Sequence, residues 1–165
     1  MSENVTAPAA QIANDLHAVI VEEGGCDEFN QPEKYGVPET YHVLFRAKMR
    51  IYREALVLFV LINKAKEDQK YEPVLRSYEA IVLPPSPTID GMTKLEALNG
   101  AMHRFSDLLK GYRESPDPQY FSWVESWFAG IGDDQLNVTY MTLFSTYWIN
   151  SWLAVWRSVD QLTPS

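Results

Sequence analysis

The sequence predicts an all-α protein: a single-domain helical bundle of about six helices with a central C-terminal helix rich in tryptophan. Three observations carry this reading. Apolar residues recur at three- and four-residue steps through most of the chain. Residues 135–156 (QLNVTYMTLFSTYWINSWLAVW) form a stretch of 22 without one Asp, Glu, Lys or Arg. Within it Trp148, Trp152 and Trp156 stand at i, i+4 and i+8, one face of a helix that has to be surrounded by something. A length of 165 residues suits one domain with a real core, expected over 1–165 with a flexible start at 1–8 and a C-terminal tail at 159–165.

Each element has its own signal. Ile12, Leu16, Val19 and Ile20 give a first short helix stopped by Gly24 and Gly25. Pro38, followed by acidic Glu39, opens a second helix that runs to about Asp68. Its stripe is Tyr41, Leu44, Phe45, Tyr52, Ala55, Leu56, Phe59 and Ile62, and its second half, Ala55 to Ile62, is apolar on all sides. A helix segment of that kind is buried all round, so this element is expected to enter the centre of the molecule. Pro73 starts a third helix through Val74, Leu75, Tyr78 and Val82, and Pro84, Pro85 and Pro87 forbid its continuation.

Thr93 and Glu96 have the spacing of a capping box. Leu95, Leu98, Met102, Phe105 and Leu109 follow as an amphipathic face, with Gly111 expected to end the helix. Asp117 and Pro118 open a fifth helix whose buried face is Tyr120, Trp123, Val124, Trp127 and Phe128. The last helix is expected from about Asp133 to Val159, paired with the 38–68 helix at the centre. As a helix, its uncharged stretch of 22 residues would be about 33 Å long, enough to cross a bilayer. Eight of its 22 uncharged residues are Gln, Asn, Ser or Thr, however, and lipid does not offset their desolvation. No membrane span is expected.

The formal net charge of −8 argues against a nucleic-acid partner, since phosphate contacts need a basic surface. The charge is zoned, with a net of −7 over residues 1–40, +4 over 41–70 and −5 over the remainder. A single cysteine, Cys26, permits no internal disulfide and fits a reducing, cytoplasmic setting. Residues 1–10 lack the basic start and apolar core of a secretory signal.

Motifs for chemistry are sparse. Glu39 and His42 have Glu-x-x-His spacing, a weak alternative metal pair, but a di-iron bundle needs a second such motif and none occurs. His103 and Asp107 lie i, i+4 and read as a helix contact. No P-loop, Rossmann or Gly-x-Ser-x-Gly pattern is present, and no cofactor is expected. Arg46, Arg50 and Arg53, at i, i+4 and i+7, are the candidate partner-binding strip, because three guanidinium groups on one face suit carboxylate or phosphate groups. The expected function is protein–protein interaction without catalysis, as an adaptor, inhibitor, immunity-type or regulatory protein, with a protein partner or a second copy of the chain as the binding partner. The alternative is a binding protein for an apolar or aromatic small molecule, held by Trp123, Trp127, Trp148, Trp152 and Trp156. A metal-dependent helical-bundle enzyme is the second alternative.

Overall fold

The computed structural model describes residues 5–22, 33, 39–84, 93–114 and 155–164. Over these the protein is all-α, with one minor exception at the chain ends. Strand β1 (Val5–Ala7) leads into helix α1 (Ala9–Leu16), which continues as one wide, π-type turn, His17–Glu22. A tight turn, Glu39–Tyr41, leads into α2 (His42–Glu67). A second, Gln69–Tyr71, leads into α3 (Glu72–Val82). Helix α4 is Lys94–Glu114, α5 covers 155–161, and β2 is Leu162–Pro164. The two strands pair in parallel, Val5 opposite Leu162 and Ala7 opposite Pro164.

Helix α2 organises the rest. It packs on α3, on α4 and on the wide turn after α1, while α1 packs on α3. From Ile51 to Leu61 every residue of α2 is buried, and Ile62 is half-buried. The apolar-all-round segment thus lies inside the molecule as its composition requires. Phe105 of α4 meets it edge-on at Tyr52, with ring centroids 5.3 Å apart, and tilted at Phe59, 5.9 Å away. Edge and tilted contacts place the positive rim of one ring on the negative face of another.

The turn chemistry is local and specific. Asp68 accepts a hydrogen bond from the Lys70 backbone N–H at 3.0 Å, which ends α2 and starts the tight turn before α3. Pro73 sits in the first turn of α3, where its missing N–H leaves no helix bond unmade. Val74, Tyr78 and Val82 form the buried face at steps of four. At the head of α4 the capping box closes reciprocally: Glu96 N–H donates to Thr93 Oγ1 at 3.2 Å, and Thr93 N–H donates to Glu96 Oε2 at 2.8 Å.

Three details differ from the sequence reading. Val19 is exposed at 55%, whereas Val21 is buried at 3%. The wide turn holds an extra residue, so Val21, five residues after Leu16, takes a buried place and Val19, three after it, does not. Leu95 is 54% exposed. The small residues Ala97 and Ala101 take the buried side with Leu98 and Phe105, which turns the face so that Leu95 falls roughly 100° from its centre. Helix α4 also runs past Gly111 to Glu114, because a glycine inside a helix weakens it by only about 1 kcal/mol and need not end it.

Of the last helix, only 155–161 falls within the described residues; Val155 and Val159 are buried there and Trp156 is half-buried. The expected helix at 118–130 and the remainder of the Trp-rich segment lie outside the described residues. No helix among the described residues is long and apolar enough to cross a membrane.

Candidate functional site

Glu54 lies midway along α2 with its side chain 1% exposed, inside the stretch where every neighbour is buried. A lone carboxylate there would be strongly disfavoured, and burial is tolerated only when opposite charges and hydrogen bonds surround it. Three elements supply them. Lys94, at the start of α4, places Nζ 3.0 Å from Glu54 Oε2 and donates to Oε1 at 3.2 Å. Arg50, one turn earlier on α2, places Nε 3.5 Å from Oε1. His17, the first residue of the wide turn, places Nε2 3.5 Å from the same oxygen. The wide turn has a visible role here: it carries His17 to α2 while Leu16 and Val21 stay in the core.

Helix α3 closes the far side with Tyr78. Its ring stands 6.1 Å from that of His17, and its buried hydroxyl has no hydrogen-bond partner among the described residues. Burial drives the Tyr78 phenol well above the ordinary tyrosine range; the Glu54 charge pushes it further up and Arg50 pulls it partly back. Burial thus favours the protonated phenol of Tyr78. The arrangement joins α1, α2 and α4 through one carboxylate, and its chemistry is that of an ionic joint.

The candidate strip on α2 divides. Arg46 is exposed and makes no ion pair among the described residues. Arg50 is 47% exposed and turned partly inward onto Glu54. Arg53 is buried, because at that point α2 has entered the core, so the expectation of three outward guanidinium groups is corrected at Arg53. Val43, one turn before Arg46, is the most exposed large apolar side chain among the described residues, at 79%.

Of the tryptophans, Trp156 packs against the core, with Lys64 Nζ 4.0 Å above its ring, and Lys64 also pairs with Asp160. Trp123, Trp127, Trp148 and Trp152 lie outside the described residues. Glu39 is exposed and His42 half-buried, and no group of three His, Cys, Asp or Glu residues that could hold a metal occurs among the described residues. His103 is exposed, and the Asp107 side chain lies outside the described residues.

The sequence reading missed Glu54 and Lys94. A signal was present for the first: Glu54 is the only acid between His42 and Lys66, and it borders the apolar run. An acid at the mouth of such a run has to find cations from elsewhere in the chain. Lys94 carried no signal beyond its place in a helix start. Neither a protein-family model, nor a curated protein, nor a solved structure matches the chain.

Proposed function

We propose that the protein acts by binding an acidic protein partner on the outward face of the first half of α2, and that it performs no catalysis itself. The observation that carries this reading is the pairing of Val43 and Arg46. An exposed valine and an exposed arginine without an ion-pair partner among the described residues stand i, i+3 on one helix face. An apolar contact beside a guanidinium is the chemistry of a protein interface, where arginine is enriched and reads carboxylates in bidentate fashion. The half-exposed Arg50 extends the same face by one turn. The rest of α2 holds this face rigid, since its second half is buried on every side.

The test is photo-crosslinking from position 43 in the cells that make the protein, with and without Arg46→Glu. The proposal expects one protein, crosslinked through an acidic segment, whose yield falls at least tenfold with Arg46→Glu while the melting temperature stays unchanged. No crosslinked protein, or a yield that survives the charge reversal, would overturn it.

A further inference from the structure

We infer that residues 155–164 form a clasp, latched on Lys64 of α2, which opens as one unit and releases the N-terminal strand when it opens. The inference is independent of the partner proposed above and rests on how the two chain ends are held. Helix α5 is gripped from one side by burial of Val155 and Val159 in the core. An ammonium group grips it from another side. Lys64 Nζ sits 4.0 Å above the Trp156 ring and pairs with the Asp160 carboxylate. Lys64 is nearly buried, with its side chain 8% exposed, whereas Asp160 is half in solvent. Screened from water on one side, the ammonium has its cation–π and ion-pair contacts on the same helix, so both are lost together if α5 lifts.

Strand β2 follows α5 directly. Its pairing with β1 covers three residues on each strand, and Pro164 at its end has no N–H to contribute. A two-stranded ribbon of this size has no stability of its own in water. It also joins positions near opposite ends of the chain, so the entropy of bringing them together is met elsewhere, by the grip on α5. Strand β1 in turn leads through Pro8, whose carbonyl accepts from the Ile12 N–H at 3.1 Å, into the first turn of α1. Helix α1 also touches β2. Loss of the latch therefore propagates from α5 to β2, then to β1 and to the start of α1.

The test is hydrogen exchange by mass spectrometry on the full chain, comparing wild type with Asp160→Asn and Lys64→Met. The expected result is a rise in exchange by a common factor, about three- to tenfold, over 155–164 and over 5–12, with α3 unchanged. Added sodium chloride should raise exchange at both ends in the wild type and have little effect in Asp160→Asn. Because Asp160 is half-exposed, that variant keeps its core and stays readable even if Lys64→Met does not fold. Faster exchange at 155–164 with 5–12 unmoved, or no change at either end in Asp160→Asn, would overturn the inference.

Discussion

Lys94 Nζ stands 3.0 Å from one carboxylate oxygen of Glu54 and 3.2 Å from the other, so the first turn of α4 is fastened to the middle of α2 by a single side chain. Lys94 follows Thr93, the residue that caps α4, and the ion pair and the cap fix the same helix end in two directions. His17 reaches the same carboxylate from the wide turn. Glu54 is therefore the point where three parts of the chain, distant in sequence, are held in register.

Replacing Glu54 by Gln should remove the charge and leave Lys94 poorly solvated. The expected loss is about 2–4 kcal/mol of unfolding free energy, and Lys94→Met should lose less, about 1–2 kcal/mol, because Arg50 and His17 remain on the carboxylate. Urea denaturation of both single variants and the double variant checks this. The double variant should be more stable than the sum of the single losses implies.

The capping box gives a pH dependence of known sign. Hydrogen bonds from the Thr93 backbone N–H first, and from its hydroxyl second, hold the Glu96 carboxyl below its ordinary value of 4.5. A group with a depressed folded value stabilises fully above its unfolded value and loses that contribution as pH falls through the folded one. Melting curves of wild type and Glu96→Gln should thus differ at neutral pH and converge well below pH 4.5. Thr93→Ala, measured at pH 7, should cost about 1 kcal/mol, the usual value for losing such a cap.

Tyr78 is a buried hydroxyl without a hydrogen-bond partner among the described residues, so Tyr78→Phe should be neutral or stabilising, within about 1 kcal/mol. Tyr78→Ala should lose about 3–5 kcal/mol through the cavity it leaves. The raised phenol has a spectroscopic consequence. Its contribution is intact below the ordinary value of 10.0 and is lost as pH rises above it. The tyrosinate absorbance of wild type minus Tyr78→Phe should appear only with alkaline unfolding.

The wide turn makes a reciprocal prediction at two valines. Val19→Asp places a carboxylate in solvent and should change stability by no more than about 0.5 kcal/mol. Val21→Asp places one in the core and should cost at least about 3 kcal/mol. An ordinary α-helical turn, with Val19 on the buried face, would give the opposite order in thermal denaturation.

What could be read from residues alone follows the range of the forces involved. The capping box at Thr93 and Glu96, the start of α3 at Pro73 and the burial of Ala55 to Leu61 are set by neighbours within one or two turns, and each was legible. The wide turn was not. Residues 19–21 are Val, Ile and Val, which offer an apolar side chain to any register, so the pattern could not choose between a three-residue and a five-residue step. The partners of Glu54 are 37 and 40 residues away at His17 and Lys94, and pairing at that distance leaves no periodic trace. Arg53 shares a helix face with Arg46, so the spacing alone predicts it to point outward. The face is continuous, but its surroundings change from solvent to core within two turns.

The central claim is that α2 is one helix with two environments: a first half with an outward face bearing Val43 and Arg46, and a second half enclosed by the rest of the chain. The most direct measurement is thiol labelling of single cysteines placed in turn at 43, 46, 57 and 60 in a Cys26→Ser background. The account predicts labelling at 43 and 46 close to that of an unfolded peptide, and at 57 and 60 only at the rate of global unfolding. Fast labelling at 57 or 60 under native conditions, or protection at 43 and 46, would contradict it.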